Sequence, residues 1–572
     1  MSFVPIKQEL SLWLSAVIRE TLDTSAASEF DFAFEVPREE KFGDLSTAIM
    51  LKLAKEAKKN PRAIADDLLK RLNSSLPKSA LAGRLARVSV EGPGFINFYF
   101  SAKEISRVVS QIHDQGENFG KPAIAPKKIL LEFVSANPTG PLTVAHGRQA
   151  ALGDSLARIL RFCGHQVTTE YYNNDEGVQI TTLGKSLLYR VGEALQLPGL
   201  PETMPENYYQ GDYLKEIAAD FIKKIGEQKL KKLWIGGDEK AAADLSNQCR
   251  LFARDAIMKG ILQDLKDFDV SFGSVYSQEE LGKSGKVEKT LEELKKKKIV
   301  YESEGAWWLR STDHGDDKDR VLIKSDKTYT YLTPDIAYHH EKFSRGFEEI
   351  IDILGPDHHG YIARLKASQA ALGHDPERLH VLIAQLVTLY EGKKQVRMST
   401  RAGEFVTLRQ ILDEVGKDAG RFFFVMRKFD AHLDFDLELA KTQTPDNPVF
   451  YIQYAHARIE SIKGNVPAEL KTKTGDEATI LGRLTGEHEI RVMRMLWQFE
   501  DAVLGAEKTL EPYRLVPYLM ELAAAFHRFY TENRVVTDDT ALTQARLLLI
   551  DSVQTVLKSG LNLLGVSAPL KM

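Results

Sequence analysis

ILLEFVSANPTGPLTVAHGRQAALGDSLARILRFCGHQVTTEYY, residues 129–172, holds the pattern that decides the fold. Ile129 to Val134 is an apolar run broken by one acid, Glu132, as suits a strand covered on both faces in a parallel sheet. A loop rich in proline and glycine follows, SANPTGPLTVAHG. Leu152, Leu156, Ile159, Leu160 and Cys163 then recur at helical spacing, and Gly164 is placed to end that helix. Gln166 to Tyr172 reads as a second strand. Strand, loop, helix and strand make the unit from which doubly wound nucleotide-binding sheets are built.

Working outward, the same sheet is expected to resume in IIDILGPDHHGY (350–361) and LHVLIAQLVTL (379–389), after a long insertion. Toward the N-terminus, RVSVEGPGFINFYF (87–100) alternates apolar and polar residues around Gly-Pro-Gly, the mark of a hairpin. The stretch GENFGKPAIAPKK (116–128) reads as a linker. Beyond Pro445 and Pro448 the pattern is helical, with apolar residues three and four apart in LVPYLMELAAAFHRFY and ARLLLIDSVQTVLKSGLNLLG. The expected organisation is multidomain α/β and all-α. A small α+β N-terminal domain (1–118) precedes a Rossmann-like catalytic domain with insertions (119–443), and a C-terminal helical bundle (444–572) closes the chain.

Composition narrows the class. With 43% hydrophobic and 27% charged residues, the 572-residue chain has the make-up of a soluble globular protein. No apolar run approaches the roughly 20 residues that cross a bilayer. Lys7, Glu9, Arg19 and Glu20 interrupt the apolar pattern at the N-terminus, which reads as an amphipathic helix and not a signal peptide. Cys163 and Cys249, far apart, fit neither a disulfide framework nor a zinc cluster. A cytoplasmic location with no membrane partner is expected. The net charge of −4 leaves nucleic-acid binding open, because an acidic enzyme can still present a basic track. The run LEELKKKK (291–298) reads as a helix whose lysines suit the dipole at its end.

Two constellations carry chemistry. His146, Gly147 and Arg148 sit where loop gives way to helix, beyond the end of a strand, where a helix N-terminus attracts phosphate. Gly147 permits close backbone approach to a nucleotide, and His146 can donate a hydrogen bond to it. Taken alone, a histidine at a helix start is more often a capping or packing residue. The second constellation, KKQVRMSTRAGEFVTL (393–408), is a basic loop that can cover a triphosphate and stabilise departing pyrophosphate, or simply lie in solvent.

In this order, and parted by a large insertion, the two constellations resemble the signature motifs of class I aminoacyl-tRNA synthetases. LEFVSANPTGPLTVAHGRQAALGDSLARILRFCGHQVTTEYYNNDEGVQI, YLTPDIAYHHEKF, ILGPDHHGYIARL, MSTRAGEFVTL and LDFDLELAKTQTPDNPVFYIQYAHARI resemble the arginyl-tRNA synthetases in particular. The resemblance runs from FEVPREEKFGDLSTAIM and GPGFINF to GLNLLGV, nearly the whole chain. It implies ATP-dependent attachment of arginine to its tRNA through an arginyl-adenylate, with Mg2+ entering as the ATP complex and no tightly bound cofactor. It also implies that activation waits for bound tRNA. A monomer is expected, and an insertion without an editing role, since buried carboxylates already reject smaller or neutral amino acids.

The signatures depart from the usual pattern. Thr143-Val144-Ala145-His146 stands for His-x-Gly-His, and Arg397-Met398-Ser399-Thr400 for Lys-Met-Ser-Lys. By resemblance His146, Thr143, Arg397, Ser399 and Arg401 are the catalytic set, with Lys393 and Lys394 as further sources of charge. Pro138, Thr143, His146, Gly147, Met398 and Ser399 hold ATP. Arginine falls to Glu132, Asn137, Tyr331, Asp335 and Asp357, carboxylates and neutral acceptors suited to a guanidinium fork. Phe95 would stack on an unpaired tRNA adenosine and Asn97 would read its edge, or both are hairpin packing. Tyr451 and Tyr454 resemble anticodon-domain contacts and can equally pack domain on domain. Two rival functions share these motifs: a tRNA-binding relative without catalysis, and an enzyme passing its adenylate to a small acceptor.

Overall fold

The computed structural model describes residues 3–22, 32–37, 39–57, 60–396, 405–471 and 476–572. Its central sheet has five parallel strands: β1 (Lys128–Glu132), β2 (Gln166–Asn173), β3 (Ser274–Ser277), β4 (Glu349–Leu354) and β5 (Leu379–Ile383). Their order is β5-β4-β1-β2-β3. The chain therefore winds outward from β1 through β2 to β3, then crosses back to β4 on the other side. Between β1 and β4 the direction of winding reverses, and a crevice opens there beyond the carboxyl ends of the strands.

Ile129, Leu130 and Leu131 are buried, which explains why β1 reads as an unbroken apolar run and not an alternating one. The strand ends at Glu132, two residues before the apolar run does. Val134 and Ser135 then take φ of +69° and +40°. A β-branched residue in that left-handed region is strained, and such strain collects at functional loops. From the loop the chain enters α1 (Val144–Phe162), which is buried on nearly every side. Gly153 is required within it, because a Cβ there would stand 2.3 Å from the Phe133 ring.

The sheet resumes earlier than the sequence suggested. Helices Val178–Ala194, Tyr213–Ile225, Glu227–Gly236 and Glu239–Asp267 intervene, and β3 then forms at Ser274. This edge strand, SVYS, is short and polar, so it carries no hydrophobic signature. A small antiparallel sheet (Val300–Ser303, Ala306–Leu309, Arg320–Ile323) follows, and then α2 (Leu332–Ser344). In LHVLIAQLVTL the first half alone joins the central sheet. Val387–Glu391 pairs instead with Leu433–Asp436 and Lys394–Gln395.

Leu85–Glu91 and Phe95–Phe100 form the N-terminal hairpin, with Leu45–Thr47 on the far side of the second strand. After α3 (Leu408–Val425) the C-terminal region is a helical bundle that includes α4 (Pro448–Asn465), Leu515–Glu532 and α5 (Thr540–Leu563). Arg421 of α3 ties these regions together: its buried guanidinium donates to Asp154 of α1 and to the carbonyls of Phe268 and Leu564. Cys163 and Cys249 are buried free thiols. No described helix is long and apolar enough to cross a membrane.

Candidate active site

Strand register sets Asp352 of β4, Glu132 of β1 and Glu170 of β2 side by side at the crevice end of the sheet. All three are buried, and like charges on adjacent strands repel. The opposing groups come from α2 and the residue that caps it. Lys342, wholly buried, places its Nζ 2.6 Å from Glu132 Oε2 and 2.7 Å from Asp352 Oδ1. The Tyr338 hydroxyl lies 2.9 Å from Glu132 Oε2 and 2.7 Å from Glu170 Oε1. Arg345 clasps Glu170 with two bonds, of 2.6 and 2.8 Å. His339 Nε2 stands 2.8 Å from Asp352 Oδ2. Burial alone would lower the pKa of Lys342, but the carboxylates of Asp352 and Glu132 outweigh it and raise that pKa. Burial likewise opposes ionisation of Asp352, and Lys342 and His339 reverse the effect and hold its carboxyl well below the usual range.

Asp335, in the first turn of α2, is in a different position. The hydroxyl of Tyr361 donates to its Oδ2, and among the described residues this is the one donor on its side chain. Burial, reinforced by the neighbouring Glu132 charge, raises the pKa of this carboxyl. Tyr331 stands one turn earlier and is 86% exposed. Asp357 is exposed in the short helix after β4, with His358 Nε2 3.6 Å from its carboxylate.

The strained loop turns the chain back toward these acids. Ser135 Oγ donates to Glu132 Oε1 at 2.9 Å and accepts from the Tyr172 amide at 3.0 Å. Tyr171 and Tyr213 pin the loop further through the carbonyls of Ala136 and Thr139. Asn137 donates to Gln179 Oε1 at 2.7 Å, and Pro138 is buried. Glu132 and Asp335 are thus close enough for the charge of one to raise the pKa of the other, and Asn137 lies on the loop that follows Glu132.

His146 caps α1, and among the described residues no partner is shown for its other ring nitrogen. Its Nδ1 lies 3.1 Å from the amide nitrogen and the hydroxyl of Thr143, so this nitrogen accepts and the proton resides on Nε2. Burial lowers its pKa to about 4, leaving the ring neutral at physiological pH. Gly147 has a different physical reason from the one the sequence suggested. A Cβ there would lie 2.9 Å from Leu408 and 3.2 Å from Phe424, so its small size serves the contact between α1 and α3. Arg148, fully buried, donates to the carbonyls of Gln385, Lys428 and Ala431 and fixes two loops to the start of α1. Arg397, Met398, Ser399 and Arg401 lie outside the described residues.

In the N-terminal hairpin Phe95 is half-buried, whereas Asn97 is 2% exposed at the centre of its strand. On α4, Tyr454 stacks on Phe450 and His527 with ring centroids 5.9 Å apart, and Tyr451 meets His527 at 4.7 Å. Gln453 and His456 of the same helix turn inward, to Asp418 and the carbonyls of Ser567 and Pro569. Sequence reasoning missed Tyr338, Lys342 and Asp352. A signal existed: Asp335, Tyr338, His339 and Lys342 form a polar stripe at helical spacing on an otherwise buried helix.

Three family models match successive parts of the chain: the arginyl tRNA synthetase N-terminal domain over 9–100, the class I (R) tRNA synthetase catalytic domain over 108–430, and the DALR anticodon binding domain over 452–572. An arginine–tRNA ligase of Desulfosudis oleivorans is 44% identical, covering 99% of this chain and all of the relative. One of Syntrophotalea carbinolica is 43% identical over the same shares. The structure of Thermus thermophilus arginyl-tRNA synthetase shares the fold, with a TM-score of 0.74 and 22% identity over 98% of this chain and all of that one.

Proposed function

The chain belongs to the class I arginyl-tRNA synthetase family and is an arginine–tRNA ligase, and we propose that the crevice between β1 and β4 carries both steps of its reaction. The arginine carboxylate attacks the α-phosphorus of ATP in line, the bond to the β-phosphate breaks, and pyrophosphate leaves. The terminal ribose hydroxyl of the tRNA then attacks the mixed anhydride, and AMP departs. No covalent protein intermediate is needed, so catalysis rests on positioning and charge stabilisation.

One observation supports the arginine site above the others. Asp335 is a carboxylate in the crevice with a single neutral donor on it. A guanidinium supplies the missing charge in a geometry that matches a carboxylate fork. Glu132 and Asp357 add acceptors, Asn137 orients the backbone end of the amino acid, and Tyr331 covers it. His146 offers ATP a neutral Nε2 donor beside the amides at the start of α1 and Thr143, with Pro138 and Gly147 shaping that end of the site. Arg397, Met398, Ser399 and Arg401 enter this reading through their match to the second signature. Magnesium accompanies ATP, held chiefly by phosphates and water.

Residues 1–118, 119–443 and 444–572 act as tRNA-binding, catalytic and anticodon-binding domains of a cytoplasmic monomer. Phe95 and Asn97 meet the tRNA at one end, and the cluster around Tyr451 and Tyr454 meets it at the other. The test is charging of unfractionated tRNA with each amino acid in turn, with ATP and magnesium present. Attachment of arginine alone is expected. Tight tRNA binding by the same folded sample without any charging would overturn the reading.

A further inference from the structure

Two of the three acids assigned to arginine, Glu132 and Asp335, are not equivalent before the substrate arrives. Glu132 already has a cation: Lys342 Nζ, 2.6 Å from Oε2. The other contact on that oxygen, the Tyr338 hydroxyl at 2.9 Å, has a single proton to give and lies closer to Glu170, at 2.7 Å. Lys342, which bridges Glu132 Oε2 and Asp352 Oδ1 at 2.6 and 2.7 Å, is therefore the charged donor on Glu132, and Ser135 holds Oε1. Asp335 has no cation in contact with its carboxylate among the described residues; His339 and His358 favour its charge only from beyond ion-pair contact. Lys342 also stands on α2 two turns after Asp335, so one rigid helix carries both the Asp335 carboxylate and the ammonium that steers Glu132.

We propose that Lys342 is a positioning residue for arginine recognition, holding and orienting Glu132 so that Asp335 is the carboxylate of that pair left, with no cation in contact, for the guanidinium. Glu132 then serves as a fixed acceptor and not as a second counter-ion. With Lys342 absent, two buried carboxylates would face a single cation, and Glu132 would lose the bond that sets its rotamer. The inference rests on the assignment of Glu132 and Asp335 to the arginine pocket.

The test is steady-state ATP–pyrophosphate exchange in the full-length enzyme with its tRNA present. Lys342→Met is expected to raise the KM for arginine on the order of tenfold or more, the scale of a lost charged hydrogen bond, with the KM for ATP within about twofold of wild type. Lys342→Arg is expected to restore most of that loss. The double variant Lys342→Met with Glu132→Gln removes both charges of that pair and leaves Asp352 to His339, and its KM for arginine should be no worse than that of Glu132→Gln alone. If Lys342→Met does not fold, Lys342→Gln, which keeps a neutral donor beside both carboxylates, takes its place in the same comparisons. Equal losses for arginine and ATP, or multiplying effects of Lys342→Met and Glu132→Gln, would reduce Lys342 to a structural strut. Unchanged arginine kinetics in Asp335→Asn and Glu132→Gln would instead overturn the pocket assignment itself.

Discussion

The Tyr361 hydroxyl donates to the half-buried carboxylate of Asp335, whose pKa burial and Glu132 raise while Tyr361, His339 and His358 lower it. The raised pKa of Asp335 means that its charge costs the free enzyme stability. For an acid raised in the folded state, the native form binds more protons than the unfolded one, so that penalty is present at neutral pH and fades as pH falls through the folded pKa. Asp335→Asn is accordingly expected to raise the Tm of the free enzyme, read by calorimetry. The same variant should lower kcat/KM for arginine by on the order of a hundredfold or more, since it removes one partner of a desolvated charge pair. A Tm that falls together with activity would argue that Asp335 is a structural residue.

Tyr361→Phe separates the donor from the charge. Without the hydroxyl the carboxylate of Asp335 is less well held, and the KM for arginine should rise by roughly threefold to tenfold. Initial rates at varied arginine and saturating ATP measure this. A larger loss than that of Asp335→Asn would contradict the ranking of the two residues.

His146 carries a pH signature. Its pKa is lowered by burial to about 4, below the ordinary 6.5 of an unfolded histidine. The unfolded chain takes up this proton first as pH falls, so stability is lost between those two values and is fully present above the upper one. Urea midpoints at pH about 7 and about 5 should differ more in the wild type than in His146→Asn, which lacks the titrating ring. Equal differences would show that the ring is protonated alike in both states.

Gly147 distinguishes packing from ligand contact. Adding a Cβ against Leu408 and Phe424 overpacks the contact between α1 and α3, at a cost of about 1–3 kcal/mol. Gly147→Ala should therefore lower the Tm, and the further change Leu408→Ala should relieve part of the crowding. A normal Tm with a raised KM for ATP would point instead to the backbone's approach to the nucleotide.

Some of this was legible in the residues alone. The β1-α1-β2 unit shows because each part carries its own local signal: an apolar strand, a helical stripe and a glycine stop. The N-terminal hairpin and the C-terminal helices are equally local. The edge strand SVYS escaped because its hydrogen bonds, not its side chains, make it a strand. Val134 reads as strand by type, yet it turns left-handed to bring Ser135 back onto Glu132. The carboxylate row escaped for a different reason. Glu132, Glu170 and Asp352 are brought together by register between strands far apart in the chain, and only that register shows why α2 carries a buried lysine. His146 was legible as two alternatives, cap or phosphate donor; the structure shows the cap, made by Nδ1, and leaves Nε2 for the proposed donor role.

Arg421 has a consequence for the order of synthesis. Its guanidinium is sealed inside the protein, and one of its acceptors, the Leu564 carbonyl, lies 143 residues further along the chain. A ribosome releases the five-stranded core long before that acceptor exists. Until it arrives, the face of the guanidinium that Gly565 later covers stays open to water. The helical bundle is thus the closing piece of the catalytic fold as well as a neighbour to it, and a chain released before residue 564 would leave that core open.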